Sequence, residues 1–316
     1  MLIVVNLGAR GGRARRRWPR VRAALEAAGV AFEAVETASE AEARARVAAA
    51  WAAGERRFVA AGGDGTVHGL LNVLREVGDA TAELGAIGLG SSNDFHKPVG
   101  PEARLAGAPV RLGAATPIDV GLARFAGEEG PLERGFTINA SLGATADANG
   151  RFNRAGWVLR ALKRVHVELA ILACAAATLL RLRVLALGVR LEGEEPQRLA
   201  TTNLAVLKRV HVAGGMRYDT PVALDDGRFA VNWVGDVGRW RLVRAVIGLY
   251  RGRFRGTPGT AAWSAARLEV TAEGPTWLEL DGEVWRAARV EFEVQPAAIR
   301  LCAPGLEPPQ GTPPPG

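Results

Sequence analysis

The stretch "FVAAGGDGTVHGLLNVL", residues 58–74, passes from a short apolar segment through Gly62, Gly63, Asp64 and Gly65 into residues with helical spacing. The pattern predicts a buried strand, a glycine turn and a helix that begins at that turn. Glycines let a ligand approach the backbone, and the N-terminus of a helix presents N–H groups to an anion. We interpret the turn as a phosphate site. One alternative stays open, because Asp64 can instead cap the helix in a tight structural turn.

A second loop of this kind, "GLGSSNDF" at residues 88–95, follows the next predicted strand, and Asp119 in "PIDVG" ends a further one. Ligands of doubly wound sheets bind at the carboxyl ends of the strands, so these segments are expected at one edge. Neither loop is a Walker or dinucleotide-binding motif. A carboxylate among phosphate-binding glycines repels the phosphate unless a divalent cation lies between them, so a metal ion is expected there too.

Residues 1–122 alternate predicted strands with predicted helices, which is typical of a doubly wound α/β domain with a parallel sheet. We expect the first helix to be entered through Pro19 and stopped at Gly29. The second has Ser39 as its N-cap and Gly54 beyond its end.

The pattern changes after about Asp119. Helical spacing at residues 157–180 is followed by short strands separated by Gly, Asp and Pro, which predicts a mostly antiparallel β domain over residues 123–296. The chain is expected to return to the first domain near residues 297–303. Residues 304–316 are rich in proline and glycine and are predicted to be disordered.

The composition suits two globular domains, with 316 residues of which 48% are hydrophobic. The net charge of +7 comes almost entirely from arginine. It fits an anionic partner such as a nucleotide or acidic lipid, although coding bias explains it equally well. No zinc-finger or RNA-binding signature is present, so nucleic acid is not expected. We read no signal peptide and no apolar run long enough to span a bilayer, and therefore expect a cytoplasmic protein.

Seven segments in order resemble motifs of the bacterial diacylglycerol kinase-like lipid kinases, relatives of sphingosine kinases and, more distantly, of NAD kinases. They are "VVNLGARGG", "GGDGT", "GSSNDF", "IDVG", "FTINASLG", "AGGMRYDTPVALDDGRF" and "LELDGEVW". The chain departs from the family pattern at Leu7 (usually proline), His68 (usually asparagine) and Ser91 (usually threonine). These departures bear on nucleotide preference and rate more than on the type of reaction.

The resemblance implies ATP- and Mg²⁺-dependent phosphorylation of a lipid hydroxyl, with diacylglycerol or a related glycerolipid as acceptor and a phospholipid such as phosphatidic acid as product. Asp64, Asp94 and Asp119 would hold the catalytic Mg²⁺. The residues that would bind ATP are Asn6, Gly8, Arg10, Gly12, Thr37, Gly62, Gly63, Asp64, Gly65, Thr66, Ser91, Ser92 and Asn93.

Two further turns carry predicted roles. Asp281 or Glu283 in "LDGEV" would be the base that takes the proton of the lipid hydroxyl, although Asp-Gly is also usual in a plain β-hairpin turn. "ALDDGRF" resembles the family's structural metal loop, which implies that Asp226 and the carbonyls of Ala223 and Arg228 hold a structural Mg²⁺. A plain turn is the alternative there as well.

Residues 239–256 interleave arginines with Trp240, Tyr250 and Phe254, which favours peripheral contact with an anionic membrane surface. The alternative is a solvated helix face. A second basic cluster consists of Arg151, Arg154, Arg160, Lys163 and Arg164. The sequence leaves open whether the protein forms a homodimer.

Two other functions compete with lipid phosphorylation: an NAD or other small-molecule kinase, and a non-catalytic nucleotide- or lipid-binding regulator. The Asp-Gly-Glu segment and the apolar, basic second domain argue against the first. The retained Asp64, Asp119, Asp281 and Glu283 argue against the second.

Overall fold

The computed structural model describes residues 1–8, 12, 14–37, 39–97, 103–128, 130–153 and 183–306. The helix predicted at residues 157–180 lies outside them. The chain divides into two compact units, one formed by Met1–Ile118 with Ala297–Gly316 and the other by Asp119–Pro296.

The first unit begins with alternating strands and helices: β1 Leu2–Val5, α1 Ala14–Ala27, β2 Glu33–Glu36, α2 Glu40–Ala52, β3 Arg57–Gly62, α3 Asp64–Val77 and β4 Glu83–Gly88. The four strands pair in parallel in the order β4-β3-β1-β2. They are followed by a 3₁₀ turn at Asp94–His96, by β5 Arg104–Leu105 and by β6 Ala108–Gly127, whose first part pairs with β4. This confirms the predicted α/β class.

Helix α1 begins earlier than predicted, at Ala14, so Pro19 lies inside it rather than at its entrance. The buried residues Ala14, Trp18, Val21 and Leu25 recur at helical spacing and pack on the first unit's core. Burial of that stripe extends the helix back past the proline. The predicted cap of α2 is confirmed, because Ser39 Oγ accepts the N–H of Glu42 at 3.2 Å.

The second unit is mostly β structure. Its elements after β6 are β7 Gly130–Phe136, β8 Asn139–Gly143, α4 Ala144–Asn153, β9 Leu185–Leu191, β10 Gln197–Leu207, β11 His211–Val212, β12 Met216–Arg217, β13 Phe229–Gly235, α5 Gly238–Tyr250, β14 Thr260–Ala265, β15 Arg267–Leu280 and β16 Glu283–Leu306.

Antiparallel pairing links these strands in the order β14-β13-β10-β8-β15-β16. Strand β9 pairs with both β10 and β15. In the core between them, Phe136 stacks on Phe229 at 5.6 Å between ring centroids and meets Phe292 edge-on at 6.1 Å. The predicted antiparallel β domain is confirmed.

The last strand contains a correction. Residues 304–306, predicted as part of a disordered tail, belong to β16, and Leu306 packs against the first unit's core. Strand β16 pairs in parallel with β4 of the first unit's sheet at Arg300 and Leu301, and this pairing supports a strand that continues beyond residue 303. Residues 307–316 lie outside the described part. Among the described helices, none is both long and apolar enough to cross a bilayer.

Candidate functional site

Three loops meet at the carboxyl ends of neighbouring parallel strands in the first unit. The loop after β4 is fastened to the end of β3, because Leu89 and Gly90 donate their N–H groups to the Gly62 carbonyl at 2.7 and 3.1 Å. The residue after β1 is fastened in the same way, since Asn6 N–H donates to the carbonyl of Ala61 at 3.0 Å. The predicted shared edge is confirmed for the two glycine loops. The prediction that Asp119 ends a strand is wrong, because Asp119 lies inside β6, which continues to Gly127.

The two glycine loops approach each other backbone to backbone. A Cβ on Gly90 would lie 2.6 Å from the Cα of Gly63, closer than real Cβ contacts allow. A Cβ on Gly62 would lie 2.1 Å from Thr66 Oγ1. Only glycine fits at these positions without displacing a neighbour.

Asp64 is the first residue of α3 and does not cap it. The N-cap is Gly63, which has no side chain to offer. The Asp64 carboxylate instead accepts the N–H groups of Asp94 at 3.1 Å and Phe95 at 3.0 Å. It therefore holds the second loop against the start of α3. Asp94 in turn is paired with Lys97, at 2.6 Å between Oδ1 and Nζ.

Side-chain amides complete these loops. Asn6 donates to Thr66 Oγ1 at 3.2 Å and accepts the N–H of Gly8 at 3.0 Å. Asn93 takes a left-handed backbone conformation, with φ of 49°, and donates to the Gly90 carbonyl at 3.2 Å. Its buried Oδ1 has no hydrogen-bond partner among the described residues. Both asparagines therefore brace glycine loops.

The other predicted nucleotide-binding residues lie in the same loops or at the same edge. Thr37 follows β2 and donates its N–H to Val5 at 3.1 Å, and Gly12 donates to Gly8 at 3.2 Å. Ser91 is exposed and Ser92 is half-buried. Arg10 lies outside the described residues.

In the second unit, Asp281 and Gly282 form the two-residue turn between β15 and β16, both with positive φ. This is the hairpin geometry that the Asp-Gly pair predicts. The Asp281 carboxylate is buried and accepts three backbone N–H groups, from Thr137, Ile138 and Asn139, at 2.8–3.0 Å. It thereby fastens the β7–β8 turn. Glu283, two residues on, is exposed.

Glu279 is a site residue that the sequence interpretation missed. Its carboxylate is 1% exposed and accepts hydrogen bonds from Asn139 Nδ2 at 2.8 Å, Ser141 Oγ at 2.6 Å and Gly282 N–H at 2.6 Å. Burial, reinforced by the charge of Asp281, raises the pKa of Glu279 from 4.5 to about 7, while the three hydrogen bonds oppose that shift. The sequence held no clear signal for this burial, because side chains alternate along a strand and Leu278 and Leu280 lie on the face opposite to Glu279.

The structure groups Asp119 with the predicted structural-metal loop, within the second unit. Its Oδ2 accepts the N–H of Gly227 at 2.7 Å and lies 3.2 Å from Lys208 Nζ. The same ammonium lies 3.4 Å from Asp226 Oδ1 and 3.0 Å from the Arg228 carbonyl. Lys208 was not anticipated from the sequence. Among the described residues, no group of three or more His, Cys, Asp and Glu side chains has the arrangement of a metal site.

The predicted membrane segment is an amphipathic helix followed by a turn. Helix α5 buries Leu242, Ala245 and Leu249. The prediction that Phe254 is an interfacial aromatic is wrong. Its side chain is 1% exposed and packs on Tyr218, with 4.9 Å between ring centroids.

Family comparisons match both parts of the chain. Residues 1–123 match the diacylglycerol kinase catalytic domain, and residues 139–303, more than half of the chain, match the YegS C-terminal NAD kinase beta sandwich-like domain. The chain belongs to the YegS-like lipid kinase family. This confirms the resemblance to diacylglycerol kinase-like lipid kinases and the expectation of an enzyme.

Two members of this family are each named "Probable lipid kinase YegS-like". The one from Pseudomonas putida is 26% identical over 272 residues, covering 84% of this chain and 83% of the relative. The one from Stenotrophomonas maltophilia is 28% identical over 285 residues, covering 87% of this chain and 88% of the relative.

Solved structures show the family fold. A diacylglycerol kinase from Bacillus anthracis str. Sterne has a TM-score of 0.64 at 15% identity, with 96% of each chain covered. A yeast NADH kinase complexed with NADH has a TM-score of 0.50 at 9% identity, covering 96% of this chain and 82% of that one. At such identities the likeness shows the fold alone.

The approach of the two glycine loops predicts that Gly90→Ala lowers turnover by roughly 100-fold, because displacing a phosphate-binding loop by about 1 Å has effects of that size. Gly69→Ala is the matched control, since a Cβ at that α3 position meets no atom within 4 Å. Steady-state kinetics and nucleotide titration check both variants. A Gly90→Ala enzyme with the turnover of Gly69→Ala would contradict the role of the contact.

The raised pKa of Glu279 predicts a pH dependence of stability. The folded state binds this proton more tightly than the unfolded state, so the contribution of Glu279 to stability is largest below pH 4.5 and declines until about pH 7. The full difference is on the order of 3 kcal/mol. Denaturant unfolding of the parent and Glu279→Gln across that window should give a flatter profile for the variant; parallel profiles would refute the assignment.

Proposed function

We propose that the protein transfers the γ-phosphoryl group of ATP to the hydroxyl of diacylglycerol or a related glycerolipid, giving phosphatidic acid or its analogue. The observation that carries this is the pair of glycine loops fastened by Asp64 at the carboxyl edge of the first unit's sheet. Membership of a lipid kinase family supplies the acceptor class.

The triphosphate would lie along the loops after β1, β3 and β4, against the first N–H groups of α3. The absence of side chains at Gly63 and Gly90 permits that approach, and the helix N-terminus favours negative charge. Asn6 and Asn93 keep the loops in place without adding charge.

Asp64 and Asp94 are the residues of this edge that would hold Mg²⁺. The Asp64 carboxylate lies at the start of α3 and is only partly buried, so it fits a contact through a metal-bound water. The ion, when bound, neutralises charge on the phosphates. Asp119 is the third carboxylate that the family resemblance implies for this ion; it accepts the N–H of Gly227 and faces the ammonium of Lys208.

The chemical step exchanges one P–O bond for another. The lipid hydroxyl oxygen forms a bond to the γ-phosphorus, the bond from that phosphorus to the β–γ bridging oxygen breaks, and ADP leaves. The hydroxyl proton passes to a carboxylate of the Asp281–Glu283 turn. Asp281 is buried under three N–H groups and Glu283 is exposed, so the two carboxylates respond differently to substitution.

We propose further that α5 places the enzyme on an anionic membrane surface. Trp240, Arg244, Ile247 and Arg251 recur at helical spacing opposite the buried stripe, and all are exposed. Trp240 is 85% exposed and Tyr250 is 59% exposed. An apolar and aromatic face bordered by arginines suits the headgroup region, where rings insert and guanidinium groups meet phosphates.

The function is tested by supplying ATP with diacylglycerol in mixed micelles, with NAD, or with no acceptor, and following ADP release together with the phosphorylated product. We expect ADP and phosphatidic acid in equal amounts with diacylglycerol only. Phosphorylation of NAD alone would replace the proposal by the small-molecule kinase, and no acceptor-dependent ADP would favour the regulator.

Two variants in the same assay locate the base. Glu283→Gln should lower turnover on the order of 10²–10⁴-fold at unchanged Tm if Glu283 takes the proton. If that variant keeps the parent's turnover, Asp281 is the base. Asp281→Asn should lower Tm in either case, because an amide N–H would face the backbone N–H groups of residues 137–139.

For the membrane, Arg244→Gln/Arg251→Gln should weaken binding to phosphatidylglycerol-containing vesicles roughly 10- to 30-fold at low salt, since each arginine contributes about 1 kcal/mol. Vesicle co-sedimentation over a salt series measures this. Arg20→Gln/Arg46→Gln removes the same charge from exposed positions of the first unit and is the control. Equal binding of both variants would mean that α5 is a solvated face.

A further inference from the structure

We infer that the ammonium group of Lys208 takes the place of a structural metal ion in the second unit. Lys208 follows β10, and its side chain is fully buried, with 0% exposure. Its Nζ lies 3.2 Å from Asp119 Oδ2, 3.0 Å from the Arg228 carbonyl and 3.4 Å from Asp226 Oδ1. An ammonium has three N–H donors, and the site provides three oxygen acceptors.

Two of these acceptors are the ligands predicted for the structural Mg²⁺. The Asp226 carboxylate and the Arg228 carbonyl both face the ammonium. A divalent ion bound to the same oxygens would lie within a few ångströms of a fixed positive charge. The Asp226 side chain is 41% exposed but the lysine side chain is fully buried, so water screens that repulsion only in part. The residues present therefore do not fit a metal ion while the lysine is there.

The lysine does the cross-linking that such an ion would do. It joins the end of β10 to Asp119 and to the 226–228 loop. The same junction contains two further hydrogen bonds of 2.7 Å: Asp119 N–H donates to the Leu224 carbonyl, and Gly227 N–H donates to the Asp119 carboxylate. Arg228 N–H closes the loop on Asp226 at 3.1 Å. Because this cation is covalently attached, chelators cannot remove it.

The first test uses the parent enzyme. Elemental analysis after gel filtration, and Tm measured in EDTA, Mg²⁺ and Ca²⁺ without nucleotide, should show no bound metal that depends on Asp226. Any response to metal in the parent should persist in Asp226→Asn, which would place it elsewhere. One tightly bound Mg²⁺ or Ca²⁺ per chain that disappears in Asp226→Asn would overturn the inference.

The second test removes the ammonium and opens room for an ion. Lys208→Ala should lower Tm in EDTA by roughly 5 °C or more, because it strips a partner from a buried carboxylate. Millimolar Mg²⁺ or Ca²⁺ should restore a large part of that loss. Lys208→Met fills the same space with an uncharged chain and should not respond to metal, nor should Lys208→Ala/Asp226→Asn.

The outcomes separate cleanly. If metal restores the Tm of Lys208→Ala but not that of Lys208→Met or Lys208→Ala/Asp226→Asn, a free cation can replace the ammonium, which supports the inference. An unchanged Tm in Lys208→Ala, or equal metal responses in all three variants, would overturn it. If Lys208→Ala does not fold, the metal content and chelator response of the parent still decide between the two cations.

Discussion

The carboxylate of Asp64 accepts the backbone N–H groups of Asp94 and Phe95, and the geometry of the glycine loops depends on that pair of hydrogen bonds. A partly buried carboxylate is stabilised by hydrogen-bond donors, and two amides of the next loop provide them. The loop after β4 is thereby pressed against the start of α3 closely enough that Gly63 and Gly90 touch through their backbones. The surface suited to phosphate follows from this fastening as much as from the glycines.

The second unit also uses carboxylates that accept backbone N–H groups to hold its loops. Asp281 fastens the β7–β8 turn through three N–H groups, and Asp119 fastens the 224–227 loop through Gly227. Acidic residues of the family motifs thus hold loops in position, whatever chemistry they also perform. Loss of activity on replacing one of them is therefore ambiguous by itself. Stability has to be measured beside turnover. Replacing such an aspartate with asparagine keeps the shape of the side chain but directs its amide N–H groups at the backbone N–H groups that the carboxylate accepted.

Much of this organisation could be predicted from the sequence. Strand and helix periodicity gave the two fold classes, and the Gly62–Gly65 turn and the Asp281–Gly282 hairpin follow from what glycine and aspartate allow locally. The contacts of buried charges could not be predicted, because their partners are distant in sequence. Glu279 meets Asn139 and Ser141 across the sheet, and Lys208 reaches Asp119. The start of α1 was mispredicted for a related reason. The tertiary burial of Ala14 and Trp18 outweighs the local tendency of Pro19 to begin or break a helix.

Lys208 shows how far a motif can be carried from one chain to another. "ALDDGRF" offers oxygen ligands, and its resemblance to the family's metal loop implies a metal, with a plain turn as the alternative. The deciding residue lies outside the motif, at the end of β10, and its charge satisfies the same oxygens. The stability that a bound ion contributes grows with the logarithm of its free concentration and vanishes far below the dissociation constant, whereas an attached lysine contributes at any ion concentration. The 226–228 loop can therefore keep its shape when the cation that its oxygens surround is a lysine side chain of the same chain instead of a bound metal ion.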